Sequence, residues 1–446
     1  MNYELIIIGA GPGGYEMAAE AAACGLNVAI VERDLVGGTC LNRGCIPTKA
    51  LCRNAEVVNL MRDAARWGVN CGDITVDYSV AHARKDEVVK QLRDGVQMLL
   101  SQPGITLIEG EARFTGPHTI MVGDQEYTGK SIVIATGSAP RGLPIEGADL
   151  AMTSDDVLAM SDLPKSMCIV GGGVIGMEFA AIFSSFGVEV TVVEFCKEIL
   201  PPFDKDIAKR LKQVLSKRGI KVITQAAVKS LAKGDDGITV TYDLKGKEQS
   251  LVAERVLMSV GRQPVLPAGL DAAGINVSRR GIEVNNEMET SVSGVYAIGD
   301  VNGLCMLAHA ASAQGQVALN SILGENHKVK LNIVPSAVFT VPELAMVGLT
   351  EDQCTERDMK VVVKKAFFRS NGKAVSMDET DGLIKMIVDA STRKIVGCHI
   401  CGAHAADLIQ EVVMAMNADV TVDVLALSIH GHPTLTEVVQ AAARQF

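Results

Sequence analysis

The sequence predicts an α/β protein in which one strand–turn–helix–strand unit occurs twice. In the first unit, the apolar run Leu5–Ile8 leads into a glycine-rich turn, an Ala-rich helix and a second strand, Asn27–Val31. In the second unit, Cys168–Val170 leads through the same order of elements to Val188–Val193. A short apolar strand before a glycine turn and a helix is typical of a parallel sheet covered by helices. The repeat therefore predicts two domains of the same kind within one chain.

Both turns carry the pattern Gly-x-Gly-x-x-Gly. Such glycines permit a tight turn and a close approach of the backbone to a pyrophosphate, which then faces a helix N-terminus. Each second strand ends in an acid whose carboxylate would reach a ribose hydroxyl, and the first glycine and the acid are 23 residues apart in both copies. One such motif is weak evidence, but two with equal spacing predict two Rossmann-like dinucleotide-binding folds. The residues are Gly9, Gly11, Gly14 and Glu32 in the first copy, and Gly171, Gly173, Gly176 and Glu194 in the second.

An apolar strand that runs into a glycine closes each unit. The first of these strands precedes Thr136 and Gly137, and the second ends just before Gly261; we expect these three residues to contact the cofactors. Two charged amphipathic stretches, about residues 47–66 and 80–102, predict helices inserted in the first unit.

The last third of the chain has a different pattern. From about Pro335 onwards, strand-like runs precede two helices, near 403–417 and 434–444. This order predicts an α+β module rather than a third nucleotide fold. Within it, Cys398 and Cys401 have the spacing of a metal or thiol motif, but the alternating polarity around them predicts a strand, so we expect a structural role.

Cys40 and Cys45 form the most informative cysteine pair. Five residues of regular helix advance about 7.5 Å, which exceeds the usual Cα separation in a disulfide. The two can bridge only across a loop or a distorted turn, which Gly44 permits, and Pro47 suits the start of a helix. Cys45 would then lie beside a helix N-terminus, whose partial positive charge lowers a thiol pKa. Two unconnected buried cysteines are the alternative, but the glycine motif just upstream favours a redox pair.

Composition and charge exclude several functions. The net charge is −10 without any basic block, which argues against nucleic acids and anionic membranes as partners. The N-terminal residues lack the cationic region and the long apolar stretch of a signal peptide, and the sequence contains no run of about 18 apolar residues, so we expect neither secretion nor a membrane span. Eleven cysteines, an odd number, argue for a reducing compartment and a cytoplasmic protein.

Taken together, these motifs resemble the FAD-dependent pyridine nucleotide–disulphide oxidoreductases, and among them the members that oxidise dihydrolipoamide. The resemblance covers essentially the whole chain. It is carried by the first glycine motif, the stretch from Gly37 to Lys49, the Ile134–Gly137 turn, the second glycine motif, Val295–Asp300 and His432–Glu437.

The resemblance implies two nested dinucleotide-binding domains, for FAD and NAD, and a C-terminal α+β dimerisation domain. The predicted parts are 1–148 (FAD, with the redox pair), 149–272 (NAD), 273–334 (return to the FAD and central domain) and 335–446 (dimerisation). We expect a homodimer that serves lipoyl-bearing domains, with no metal, nucleic acid or membrane partner. Glu194 would repel the 2′-phosphate of NADP, so NAD is the expected nucleotide.

The resemblance also implies individual roles. Cys45 would be the thiolate that faces the flavin, and Cys40 the thiol that exchanges with lipoamide. The implied cofactor contacts are Glu32 at the adenosine ribose, Ala112 at the adenine, Lys49 beside the flavin ring and paired with Glu178, Asp300 at the ribityl chain and Ala308 near the pyrimidine edge. The chain departs from the family at Ala310, Gln314 and Gly431.

His432 is the predicted base, and Glu437 would hold its far ring nitrogen. Thiol–disulfide exchange needs a thiolate, and a histidine is suited to take the proton. The alternative for Glu437 is a capping box, because Thr434 and Glu437 have the spacing of a helix start.

Two other functions stay open. One is an NADH-dependent reductase of another small disulfide. The other is a flavoprotein without catalysis, which would act as a redox sensor or scaffold. An intact cysteine pair and an intact base favour the enzyme.

Overall fold

The computed structural model describes residues 1–326 and 329–446. The strands are β1 (Asn2–Ile8), β2 (Val28–Glu32), β3 (Ile105–Glu109), β4 (Ala112–Gly116), β5 (Thr119–Val122), β6 (Gln125–Ile134), β7 (Ser138–Pro140), β8 (Ser166–Val170), β9 (Glu189–Glu194), β10 (Lys221–Thr224), β11 (Ala226–Gly234), β12 (Gly237–Leu244), β13 (Lys247–Ala253), β14 (Arg255–Met258), β15 (Arg262–Pro264), β16 (Val277–Ser278), β17 (Gly281–Ile282), β18 (Val295–Ala297), β19 (Ser336–Val338), β20 (Glu343–Gly348), β21 (Val361–Phe367), β22 (Leu383–Asp389) and β23 (Ile395–Gly402).

The helices are α1 (Pro12–Ala23), α2 (Gly38–Arg43), α3 (Cys45–Arg62), α4 (Tyr78–Leu100), α5 (Ser154–Ala159), α6 (Val174–Ser185), α7 (Lys205–Lys217), α8 (Leu270–Ala273), α9 (Ala308–Leu323), α10 (Glu351–Glu356), α11 (Gly372–Ser376), α12 (Ala405–Asn417), α13 (Val422–Leu427) and α14 (Glu437–Ala443). They and the strands fall into two compact units. The first unit comprises 1–50, 80–141 and 261–331, and the second comprises 51–79, 142–260 and 332–446.

The first unit is built on a seven-stranded sheet in the order β3-β2-β1-β6-β5-β4, with β18 also paired to β6. Strands β3, β2, β1, β6 and β18 run parallel, β5 is antiparallel to β6, and β4 is antiparallel to β5. Leu5, Ile6 and Ile7 in β1 are fully buried, which suits a central strand covered on both faces. Because β1 and β2 are parallel neighbours, the turn after β1 and the acid that ends β2 lie at the same edge of the sheet.

The second unit repeats this arrangement and adds two further sheets. Its parallel sheet has the order β10-β9-β8-β14, so β8 and β9 occupy the places that β1 and β2 have in the first unit. Strands β11, β12 and β13 form an antiparallel sheet that follows it. The C-terminal sheet, β19-β20-β23-β22-β21, is antiparallel, and helices α12 and α14 pack on it. The predicted fold class, two Rossmann-like domains and an α+β domain, is confirmed, while the bounds of the four predicted parts stay a prediction.

A buried lysine links the second parallel sheet's helix α7 to the C-terminal sheet. Lys385 in β22 is fully buried, and its Nζ lies 2.9 Å from both carboxylate oxygens of Asp204, which caps α7. Asp206 and Glu351 lie 2.8 and 2.6 Å from the same ammonium group. Because three carboxylates surround it, the buried charge is fully compensated.

Cys398 and Cys401 lie in β23 and are fully buried. Three residues apart on a strand, they point to opposite faces of the sheet. Among the described residues, no group of three or more His, Cys, Asp or Glu side chains is placed to hold a metal ion.

Candidate active site

The two cysteines of the predicted redox pair lie on consecutive helices. Cys40 is in α2 and Cys45 is the first residue of α3. Gly44, with φ −144° and ψ −110°, interrupts the helical conformation between them. A Cβ at Gly44 would lie 2.9 Å from Thr39 O, closer than side chains tolerate. The prediction that the following helix begins at Pro47 is wrong by two residues. Thr48 N donates to Gly44 O at 3.2 Å, so the first helical hydrogen bond already spans Cys45.

The thiols of Cys40 and Cys45 are half-buried and hydrogen bonded to each other. The hydrogen bond to Cys45 raises the pKa of Cys40 most, and burial raises it further, while the Lys49 ammonium opposes both. The predicted division of labour, in which Cys40 exchanges with a substrate and Cys45 is the thiolate, stays a prediction.

The redox loop packs directly on the first glycine turn. Gly37 N donates to Ala10 O at 2.7 Å, and a Cβ at Gly38 would lie 2.7 Å from the Cα of Gly11. Asn42 closes the loop, because its Nδ2 donates to Val36 O and to Gly38 O, each at 3.0 Å. Asn42 was not among the predicted site residues, although an amide between the two cysteines of a predicted redox pair was a signal for it.

In the first dinucleotide turn, Glu32 holds the backbone around the glycines. Its carboxylate accepts from Ala10 N at 2.7 Å and from Asp34 N at 2.9 Å. Helix α1 begins after Gly11 without any side-chain cap, so its N-terminal N–H groups stay available to an anion. Gly9 has φ +108°, and a Cβ there would clash with Ala135 O, so only glycine fits.

The second turn repeats this geometry. Glu194 accepts from Gly172 N at 2.5 Å and from Cys196 N at 2.6 Å, the positions that correspond to Ala10 and Asp34. Helix α6 also begins without a side-chain cap, and nothing lies within 4 Å of a Cβ built on Gly173. Both turns therefore offer an uncapped helix N-terminus and a fixed carboxylate, which fits a dinucleotide at each.

Further predicted flavin contacts gather in the first unit. Asp300 accepts from Ser138 Oγ at 2.5 Å, and Ser138 in turn accepts from Arg262 Nε at 2.7 Å. Thr136 Oγ1 donates to Val265 O at 2.5 Å. Ala308 is the first residue of α9, which also begins without a side-chain cap.

Gln314, a departure from the family, is accommodated by a second amide. Its Oε1 accepts from Gly299 N at 2.7 Å and from Asn302 Nδ2 at 2.8 Å, and all these groups are buried. The neutral Gln314 thus has donors on both sides and leaves no unpaired charge beside Asp300.

Ala112 begins β4 and is buried, and Gly137 and Gly261 both have positive φ, +70° and +119°. Glu178 in α6 is buried, and its Oε1 accepts from Phe339 N at 2.9 Å. The predicted pair of Glu178 with Lys49 would join the two units and stays a prediction.

His432 and Glu437 form a hydrogen-bonded pair in the second unit. The Nδ1 of His432 lies 3.0 Å from Oε1 of Glu437, and the histidine side chain is 77% exposed. Thr434 N donates to Oε2 of Glu437 at 2.9 Å. That bond and the one to His432 lower the pKa of Glu437, so the carboxylate stays ionised.

The capping-box alternative for Glu437 holds only in part. Glu437 accepts the N–H of Thr434, but Thr434 Oγ1 donates to Gly431 O instead of capping the helix. Helix α14 begins at Glu437 itself. A carboxylate that opens a helix and also binds His432 leaves the Nε2 of His432 directed away from this pair.

Models of two protein families match the chain. The pyridine nucleotide-disulphide oxidoreductase model matches residues 3–315, and the dimerisation domain model of the same oxidoreductases matches residues 334–443. The chain belongs to this family. The prediction of an NAD-dependent flavoprotein disulphide oxidoreductase with FAD and NAD as its cofactors is thereby confirmed.

Curated relatives in the family are similar over their whole length. The chain is 39% identical to a dihydrolipoyl dehydrogenase of Geobacillus stearothermophilus, and the similarity covers 99% of this chain and 95% of the relative. It is 40% identical to a dihydrolipoyl dehydrogenase of Mycobacterium tuberculosis, with 98% and 97% covered. Among solved structures, it is similar to the HOCl-induced flavoprotein disulfide reductase RclA from Escherichia coli, with a TM-score of 0.88, 30% identity and 99% of each chain covered.

None of the helices described in residues 1–326 and 329–446 has the length and apolar composition to cross a membrane.

Proposed function

We propose that this member of the family is a dihydrolipoyl dehydrogenase. It oxidises protein-bound dihydrolipoamide to lipoamide and reduces NAD⁺ to NADH. The observation that carries the proposal is the Cys40–Cys45 pair, held against the first of two dinucleotide turns by the bond from Gly37 N to Ala10 O. The names of full-length relatives that are about 40% identical support the substrate.

The thiol chemistry follows from the roles predicted for the two cysteines. A thiolate of dihydrolipoamide attacks the sulfur of Cys40, and the bond between Cys40 and Cys45 breaks, with Cys45 leaving as a thiolate. The second thiolate of the substrate then displaces Cys40, which is released and takes a proton, and lipoamide is formed. The first glycine turn and Asp300 would hold FAD, which would supply the two-electron chemistry that links the thiols to NAD⁺.

His432 supplies the base for this exchange. Glu437 binds Nδ1 and keeps it protonated, so Nε2 is free to accept the proton of a substrate thiol. The ionised carboxylate then stabilises the imidazolium that results. The same group returns the proton in the reverse reaction.

The active form is proposed to be a homodimer with shared active sites. Apolar side chains near His432 are almost fully exposed, with Leu427 at 83% and Ile429 at 99%. Surfaces of this kind mark interaction sites, and a two-fold interface here would place His432 of each subunit at the redox pair of its partner.

Mixing two inactive variants tests the shared site. Cys45→Ser and His432→Gln dimers, dissociated and reassociated in equal amounts, should recover about a quarter of the wild-type activity, because half the dimers are mixed and each has one intact site. Activity no higher than in the unmixed variants, with reassociation confirmed, would refute the shared site.

We also propose lipoyl-bearing domains as the partners and the cytoplasm as the location, which is supported by the odd number of cysteines, eleven. The division into parts 1–148, 149–272, 273–334 and 335–446 belongs to the same proposal.

A reductase of another small disulfide is the second candidate. It is favoured by the structural similarity to RclA, a flavoprotein disulfide reductase. A steady-state comparison of lipoamide with glutathione disulfide, each with NADH and with NADPH, separates the two. Preference for lipoamide and NADH supports the dehydrogenase, and preference for glutathione disulfide contradicts it.

A further inference from the structure

The helix that carries Cys40 depends on outside support. Helix α2 has only six residues, and isolated helices shorter than about 12–15 residues are marginal in water. Asn42 supplies two bonds within the loop, from its Nδ2 to Val36 O and Gly38 O. These bonds tie the last turn of α2 to the segment from which it starts.

The orientation of the Asn42 amide is set by a side chain from another helix. Nη1 of Arg93, in the 23-residue helix α4, donates to Oδ1 of Asn42 at 3.2 Å. A guanidinium only donates, so it binds the oxygen of the amide and leaves both Nδ2 hydrogens for the carbonyls of Val36 and Gly38. Within residues 1–326 and 329–446, no carboxylate pairs with Arg93, so the bond to Asn42 is not in competition with an ion pair.

We propose that Arg93 is a positioning residue for the redox pair, acting through Asn42 to hold Cys40 and Cys45 where their disulfide forms. The proposal rests on the proposed function only in taking these two cysteines as the redox pair. In the disulfide, the sulfur–sulfur bond itself keeps the loop closed. In the dithiol, the loop gains conformational freedom when the hydrogen bond from Arg93 to Asn42 is lost, so loss of this bond favours the reduced form.

The test measures the dithiol–disulfide equilibrium of the holoenzyme. Wild type and Arg93→Ala are equilibrated without oxygen in mixtures of reduced and oxidised dithiothreitol. In this exchange a bond forms between Cys40 and Cys45, the disulfide of the reagent breaks, and the reagent takes up two electrons and two protons. After acid quenching, alkylation and mass spectrometry of the Cys40–Cys45 peptide give the reduced fraction.

Arg93→Ala should shift the equilibrium towards the dithiol by about fivefold to tenfold, where tenfold corresponds to about 30 mV. Lys90→Ala is the matched control, because Lys90 is a cation on the same helix, exposed and paired with Asp94 at 2.6 Å. It should leave the equilibrium unchanged. An unchanged equilibrium in Arg93→Ala, or an equal shift in Lys90→Ala, would overturn the proposal.

A double-mutant cycle with Asn42→Ala tests whether Arg93 acts through Asn42. If it does, the double variant should match Asn42→Ala alone, because the two changes remove one interaction. Additive shifts would contradict this route. Wild type that forms no Cys40–Cys45 disulfide at any mixing ratio would instead disprove the redox pair, and with it the proposed function.

Discussion

Adding a single methyl group at Gly176 should weaken NAD binding while FAD stays bound. Gly176 lies in the first turn of α6, and a Cβ there would overlap with Gly171 O and lie 2.8 Å from Ser259 Oγ. Real Cβ atoms keep at least 3.0 Å from such neighbours, so the helix has to move. A displacement of about 1 Å at a binding turn costs about 10²-fold in rate, so we expect kcat/KM for NAD⁺ to fall by about 10²-fold in Gly176→Ala.

The same change at Gly14 gives the reciprocal result. A Cβ there would overlap with Gly9 O in the first turn, so Gly14→Ala should lose FAD instead. Flavin content after gel filtration and steady-state kinetics with varied NAD⁺ separate the two variants. Gly95→Ala is the matched control, because nothing lies within 4 Å of a Cβ built at that position in α4. An unchanged kcat/KM for NAD⁺ in Gly176→Ala, or loss of FAD from it, would refute the assignment of the two turns.

Three further predictions concern charged side chains. Wild type should prefer NADH to NADPH. Glu194→Gln should raise kcat/KM for NADPH by about tenfold, roughly 1.4 kcal/mol, because it removes the charge that repels a 2′-phosphate. Equal kcat/KM for both nucleotides in wild type would contradict this prediction. Lys385→Met should lower the free energy of unfolding by about 3–5 kcal/mol, because it leaves the buried Asp204 without its cation. Lys365→Met, at an exposed ion pair, should lower it by about 1 kcal/mol or less. Equal denaturation midpoints for the two variants would contradict a stabilising role of the buried cluster. Burial alone would raise the pKa of Asp206, but hydrogen bonds from Lys365 and Lys385 lower it to about 2. The stabilising effect of the ionised Asp206 is therefore complete above its ordinary pKa of 3.8 and is lost as the pH falls towards 2. Asp206→Asn should flatten the loss of folding stability across that pH range, and an unchanged dependence of stability on pH would disprove the contribution of Asp206.

The parts of the fold that could be predicted from the sequence are those in which the interacting residues lie close together along the chain. The glycines of each turn and the acid that follows belong to one strand–helix–strand unit, so their spacing predicted the edge at which Glu32 and Glu194 lie. The break between the two cysteines was predictable because a glycine, Gly44, lies between them, and a Cβ there would lie 2.9 Å from Thr39 O.

Long-range partners could not be predicted in this way. Lys385 binds Asp204 across 181 residues, and Arg93 binds Asn42 across 51. In the sequence, Lys385 looks like any polar residue in an apolar strand, and only the packing of α7 on the C-terminal sheet supplies its carboxylates. The helix start at Cys45 was missed for a local reason, since Pro47 tolerates a position inside the first turn as well as its start.

The most direct measurement of the central claim is the formation of NADH from a carrier domain that bears dihydrolipoamide. Wild type, Cys45→Ser and the exposed control Cys24→Ser are each supplied with the reduced carrier and NAD⁺ without oxygen, and the NADH formed is followed together with the flavin content. We expect wild type and Cys24→Ser to form NADH at similar rates, while Cys45→Ser retains FAD and forms none. NADH formation by Cys45→Ser at the wild-type rate, or its absence with wild type, would contradict the account.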